Sequence, residues 1–256
     1  MILHPYADGL VAMAQSVHAF LAFQVADHWG NRLTPRPSPR AEVLAAVLLH
    51  DAGWDGREEP LRLDADGRPL AFDTFPGAER AAIWNSAVER AGLRGRYVAY
   101  LVSHHVSTLA ALSSEGIHRE FLAQQERLRA RLRDELVTDA RYAGALATGP
   151  DEVNRAIVRL ADAIAVHLAC GREGAVRFPG LPRRGGSAHL ALTQVAERSY
   201  RLRPWPLVGR RLVVTSEGRL LPARRFPDEA SLGRAWQEAA TVRLSWTLLA
   251  TGAPSD

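Results

Sequence analysis

The chain reads as a mainly α-helical bundle with a small antiparallel β-rich C-terminal part, α+β overall. Three observations predict this. Apolar residues recur at helical spacing in most segments between Leu10 and Cys170. After Gly171 the pattern switches to alternating stretches, HLALTQ, SYRLR, RRLVVT and RLLPARRF, broken by Pro204, Pro206 and Glu217-Gly218. Gly and Pro gather between the periodic segments, where turns belong. The predicted division is a helical domain over 8–171 and a β-rich subdomain over 172–256 packed on it, which a strand over 1–7 can join.

In order, MILHPYA reads as that first strand, with Asp8-Gly9 as turn or cap. Val11, Ala14, Leu21 and Val25 fall on one face of a helix from Leu10 to Trp29, and Gly30 ends it. TPRPSPR is a Pro-rich connection, after which Ser38-Pro39 supplies an N-cap and first-turn proline for a helix over 40–51. Residues 54–76 hold Gly, Pro and Asp, including a DADG turn at 64–67, and read as a long ordered loop of the kind that carries function. Helices follow over 78–91, 95–112, 118–147 and 150–170, then a Gly/Pro/Arg segment over 171–187. The alternating stretches come next, with a helix from Asp228 to about Ala240 and a last apolar piece, VRLSWTLLA.

At 256 residues, 47% hydrophobic and 23% charged, the chain suits a globular protein and excludes disorder or a coiled coil. All 32 basic residues are Arg, in runs no longer than two, and the formal charge is +4. Scattered arginines argue against a dedicated nucleic-acid surface. The single Cys170 excludes an internal disulfide and a thiolate zinc knuckle, and a reducing cytoplasm is the expected compartment. There is no leader-like segment and no run of 18 apolar residues, so neither secretion nor membrane spanning is expected.

The chemistry rests on nine histidines and their acidic neighbours. His18 lies on the stripe of Val11, Ala14, Leu21 and Val25, where a polar ring needs either a carbonyl or an ion as partner. His50-Asp51 ends the apolar run AAVLLHD. Adjacent helical residues diverge by about 100°, so both reach one point only in a groove beside the helix end, which a divalent ion suits. A buried His beside a capping Asp is the alternative. In YVAYLVSHHVSTLA, His105 shares a face with Val98, Leu101, Leu109 and Leu112, which makes it the better ligand. His104 follows Tyr97, Tyr100 and Thr108 and faces substrate. Asp162, inside the apolar helix AIVRLADAIAVHLAC, needs a charge partner, either Arg159 one turn away or a metal. His118, His167 and His189 read as surface or helix-flank residues, and His28 as a helix C-terminal one. DADGRPLAF begins like a calcium loop but carries Phe75 at the twelfth position, which excludes an EF-hand. P-loop, Rossmann and nucleophile-elbow motifs are absent.

The order His, His-Asp, His, Asp resembles the HD superfamily of metal-dependent phosphohydrolases. AQSVHAFLAFQVADHWG, LLHDAGW, LRLDADGRPLAF, YLVSHHVSTL, LADAIAVHLACG and RLRPWPL together look like an uncharacterised bacterial HD-like branch, over about residues 8 to 250. That resemblance implies an HD-like helical bundle with His18, His50, Asp51, His105 and Asp162 at a metal site, and Gln15 and Trp54 as substrate-side companions. Ala52 departs from the branch, which is associated with a second acid after the His-Asp pair.

The expected function is that of a metal-dependent phosphohydrolase acting on a nucleotide or other small phosphate ester, holding one divalent ion such as Fe, Mn or Zn, with a second as the variant reading. Asp51 and His104 are the expected catalytic groups. Arg57 and Arg62 are placed to clamp phosphate. Two rivals stand beside it: an HD-fold di-iron oxygenase, whose sixth ligand would come from His104 or His118, and a non-catalytic metal-containing binding or regulatory module. Whether the β-rich end covers the site or forms a homodimer is open at this level.

Overall fold

The computed structural model covers residues 1–256 and describes 1–7, 9–58, 61–112 and 118–252. The segment between the helices expected over 95–112 and 118–147 lies outside the described residues. The N-terminus is a hairpin of β1 (Ile2–Tyr6) and β2 (Gly9–Met13). The helices are α1 (Gln15–Asp27), α2 (Arg40–Leu49), α3 (Gly77–Gly92), α4 (Arg96–Leu112), α5 (His118–Val137) and α6 (Thr148–Ala169). Then come β3 (Ala175–Arg183), β4 (Gly186–Ala196), β5 (Ser199–Arg203), β6 (Arg211–Pro222), α7 (Glu229–Glu238) and β7 (Thr241–Ala250).

The predicted architecture of a mainly α, HD-like bundle with a small antiparallel C-terminal part is corrected here. The strands form one seven-stranded sheet in the order β1-β2-β6-β7-β5-β4-β3, curled into a half-barrel. It is mixed, because β5 and β7 run parallel, Tyr200 opposite Leu248, while the other neighbours are antiparallel. Both ends of the chain build it.

Three local misreadings hid the sheet. Leu10-Val11-Ala12-Met13 was expected as the first helical turn but forms β2, with Leu10 opposite Leu221 and Val11 opposite Leu220. A four-residue apolar run fits a buried strand as well as a helix. The Gly/Pro/Arg segment expected as a connection forms the edge strand β3, whose register shifts between Phe178 and Leu181. Edge strands with bulges tolerate Pro179 and Pro182. Glu217-Gly218, expected as a turn, lies inside β6. A Cβ on Gly218 would stand 2.6 Å from Val11 Cγ1 and 2.7 Å from the Ala12 carbonyl, so glycine serves a close crossing of β2 and no reversal.

The expected helices form with shifted bounds: α1, α2 and α5 are shorter than expected, while α3 and α6 begin one and two residues earlier. α5 ends at Val137, and 138–147 turns back through a short 3-10 segment, where one helix to 147 was expected. α6 is the axis of the body: Ile157, Leu160, Ala161, Ile164 and Leu168 are all fully buried against α1, α2 and α4. One continuous apolar core runs from Ile2 and Val11 through α1, α4 and α6 to Leu190, Val214 and Trp246. The segments 8–171 and 172–256 therefore share their interior. No helix among the described residues is long and apolar enough to cross a membrane.

Candidate metal centre

Four helical segments deliver polar groups to one buried point. α1 brings His18, the end of α2 brings His50 and Asp51, α4 brings His105, and α6 brings Asp162. His18, His50, His105 and Asp162 are each 1–8% exposed.

Their atoms are close. His18 Nε2 lies 3.0 Å from Asp162 Oδ1 and 3.7 Å from Asp51 Oδ2. His50 Nε2 lies 3.3 Å from both of those carboxylate oxygens. His105 Nε2 lies 3.6 Å from Asp162 Oδ2, and its ring stands edge-on to that of His50 with centroids 5.0 Å apart. One ligand atom from each of His18, His50 and Asp162 fits within a 4.8 Å group.

These residues fit a divalent cation. Donors bound at about 2.1 Å to one ion stand roughly 3.0 to 3.4 Å apart in octahedral or tetrahedral geometry, and the nitrogen–oxygen separations here fall around that range. His50 Nδ1 donates to the Val47 carbonyl at 2.6 Å. That bond fixes the tautomer, so a neutral His50 aims a bare lone pair from Nε2 at two carboxylates, which only a cation or a proton relieves. His105 supplies a second orphan: both ring nitrogens are buried without a hydrogen-bond partner among the described residues. Leaving such a group unpaired is costly.

The charges are strongly coupled. Burial disfavours the cation on His50, but the Asp51 charge and the hydrogen bonds of Asp162 and Asp51 outweigh it and raise its pKa well above the ordinary value. Burial also pushes both carboxyls up. The facing histidines reverse this, holding Asp51 below the usual range and Asp162 well below it. Burial takes His105 down to about 4, against the pull of Asp162. The site thus keeps two carboxylates ionised and calls for positive charge between them.

Local sequence explains the positioning. Ala52-Gly53-Trp54 forms one 3-10 turn directly after Asp51. A Cβ on Gly53 would lie 1.9 Å from the Ile83 carbonyl, so only glycine lets this turn press on α3. Asp162 does not pair with Arg159, the alternative left open by the sequence. The Arg159 guanidinium donates to the carbonyls of Pro179 at 2.7 Å and Gly180 at 3.3 Å.

The other expected residues are dispersed. His104 is turned away from the cluster: its ring stands edge-on to Tyr100 at 4.7 Å and lines a cleft. Burial, with Arg155, Arg129 and Arg133 adding, lowers it to about 3, so it is a neutral imidazole. Gln15 sits buried one turn before His18, with its backbone N–H on Glu58 at 2.9 Å. Trp54 packs edge-on to Phe75 in a small separate apolar cluster with Ile83. Arg57 is exposed. Arg62 is bound to Glu79 at 2.6 Å and stacked over Phe75. His28 caps the end of α1, and His189 is exposed on β4. His167, expected at a surface, is buried on α6 against Tyr200. The side chain of His118 lies outside the described residues.

What sequence reading missed is the cleft itself, a cavity of about 960 Å³ that reaches the centre at His105. Arg36, Arg155, Arg159 and Arg183 line it together with His104 and His105. Arg155, Arg159 and Asp162 are spaced i, i+4 and i+7, so one face of α6 carries all three, and that spacing was a usable signal. Arg36 and Arg183 come from Pro- and Gly-rich stretches without any periodicity.

Comparison with known proteins overturns the HD resemblance together with the fold that it implied. No curated protein and no solved structure matches the chain. A family model described as a protein of unknown function, DUF3891, matches residues 1–223. The chain belongs to the DUF3891 family.

Proposed function

We propose that this protein is a metal-dependent phosphohydrolase acting on a small phosphate ester, with one divalent cation held by His18, His50, Asp51, His105 and Asp162. The observation that carries the reading is the adjacency of two features of opposite character: an acidic, histidine-rich buried centre and an arginine-lined cleft that meets it at His105. Carboxylates and imidazoles suit a divalent ion, and guanidinium groups suit phosphate.

When bound there, such a cation polarises a phosphoryl oxygen and makes a water molecule acidic near neutral pH. The residues divide the remaining work. Asp162 uses both oxygens, Oδ1 toward His18 and His50 and Oδ2 toward His105, and is a fixed anchor. Asp51 contacts the histidines through Oδ2 only, and its side chain is 12% exposed. Its Oδ1 is the group to accept the proton of the attacking water. The water oxygen forms the new bond to phosphorus, the ester oxygen–phosphorus bond breaks, and the leaving alkoxide takes the proton that Asp51 accepted, which leaves the carboxylate ionised again. His104, neutral, donates or accepts one hydrogen bond to substrate and carries no charge to the reaction. The arginines orient the ester and balance its charge. The assignment of phosphate contacts to Arg57 and Arg62 is replaced by the cleft set, because Arg62 is already engaged by Glu79.

The test is metal analysis of protein purified without chelators, followed by a panel of nucleotides and sugar phosphates assayed with Mn, Zn, Fe and Mg, alongside oxygen uptake. Phosphate release from at least one ester, lost in His50→Ala, is expected. Substrate-dependent oxygen uptake without phosphate release would refute hydrolysis, and inactivity in both assays would leave a metal-containing binding module.

A further inference from the structure

The cleft carries more positive charge than one phosphate requires. Four guanidinium groups face one lining carboxylate, Glu152. The centre beside it brings two carboxylates, which a divalent cation would neutralise, so the excess in the cleft is left for ligand.

The arginines are also spread out. Arg159 and Arg155 stand one and two turns from Asp162 on the same face of α6, about 4.5 Å and 10.5 Å along the axis at about 1.5 Å per residue. Arg36 comes from the segment between α1 and α2, and Arg183 from the end of β3, so charges line the cleft from three separate parts of the chain.

Their partners differ. Arg155 is occupied by Asp151 at 3.2 Å. Among the described residues Arg159 is held by carbonyls and by no carboxylate, and burial lowers its pKa. Arg36 and Arg183 have no ion pair among the described residues, although acidic side chains are nearly as numerous as arginines in this chain. Arg159 and Arg183 are half-buried and Arg36 stands exposed at the cleft, and a half-buried cation without a counter-ion favours an anion beside it.

We infer that the cleft takes a ligand with two or more linked phosphoryl groups, a diphosphate or longer chain, with Arg159, nearest Asp162 along α6, on one phosphoryl group and Arg36 and Arg183, from other parts of the chain, on a further one. The inference rests on the phosphohydrolase reading for its substrate but concerns binding, which is measured without turnover.

Calorimetric titration of the full chain as purified, in excess magnesium so that the probes do not strip the centre, compares inorganic phosphate with tripolyphosphate. Tripolyphosphate is expected to bind at least about tenfold more tightly. Arg36→Gln and Arg183→Gln should each weaken tripolyphosphate about tenfold and leave inorganic phosphate within about twofold, with unchanged melting temperatures. Arg57→Gln, outside the cleft, should change neither. Equal affinities for the two probes, indifference to both cleft substitutions, or an equal loss in Arg57→Gln would overturn the inference. Hydrolysis of monophosphates without a tripolyphosphate preference would refute this inference alone, whereas tight tripolyphosphate binding without phosphate release from any ester would refute the hydrolase alone.

Discussion

Replacing Asp162 by Asn separates a metal centre from a simple ion-pair network. The substitution keeps the shape of the side chain, 8% exposed in the middle of α6, and removes the charge that faces His18 at 3.0 Å, His50 at 3.3 Å and His105 at 3.6 Å. Breaking a buried charge cluster by removing one partner costs about 3–5 kcal/mol. In a chain of this size each kcal/mol moves the melting temperature by about 2–4 °C, so the variant should melt roughly 6–20 °C lower. The decisive measurement is a cycle: wild type and Asp162→Asn, each melted with and without chelator, with metal content measured in parallel. If Asp162 is a ligand, chelator destabilises wild type and leaves the variant nearly unchanged, because the variant has already lost its ion. If the cluster is held by protons alone, chelator moves neither protein, and the substitution costs the same in both conditions. A variant that retains a full complement of metal would refute the ligand assignment outright.

Gly53→Ala should lower metal content and destabilise by about 1–3 kcal/mol, since its Cβ would meet the Ile83 carbonyl at 1.9 Å and the turn that follows Asp51 must move; wild-type metal content and melting would count against this. Gly218→Ala should cost a similar amount in urea unfolding by forcing β6 away from Val11 and Ala12, and a neutral outcome would contradict the close crossing of β2. Acid should weaken the fold through His4, which is buried with Nδ1 on the Ala169 carbonyl at 3.1 Å. Burial, against that hydrogen bond and with Arg198 adding, holds its pKa below 6.5. The unfolded chain takes up the proton near 6.5 and the fold does not, so this contribution is intact above 6.5 and is lost as pH falls toward the folded value. His4→Gln, which keeps an N–H donor, should flatten the stability slope below about pH 6.5, the unperturbed histidine value; an unchanged slope would remove His4 from the account.

The residues that meet at the centre were legible because each is polar within an apolar helix or at the end of an apolar helical run, and a buried carboxylate or imidazole must find a partner. α4 and α6 show this most plainly: His105 interrupts Val98, Leu101 and Val106, and Asp162 interrupts Leu160, Ala161 and Ile164, all buried. The same logic does not extend to His167, which is equally buried, with its ring edge-on to Tyr200 and its Nε2 without a hydrogen-bond partner among the described residues. Sequence proximity to the His-Asp pair does not bring Arg57 or Arg62 to the lining of the cleft. They follow the His-Asp pair closely, yet the turn at 52–54 sends the chain out to α3, where Glu79 takes Arg62.

The sheet escaped because its evidence is long-range. Nothing near Leu10 announces that Leu221 will lie opposite, and nothing near Glu217 announces that Gly218 must admit Val11. The cost of missing it was functional as well as architectural. β3 reaches α6 because Gly180, at φ +74°, has no Cβ: one there would stand 2.9 Å from the Arg159 guanidinium. That close approach lets the Pro179 and Gly180 carbonyls hold Arg159 in place and brings Arg183 to the cleft. The helices alone would present His105 and two arginines of α6 on an open flank. It is the sheet edge, with Arg183 and Ser187, that turns this flank into a cavity, so the two parts of the chain meet at the site and neither forms it without the other.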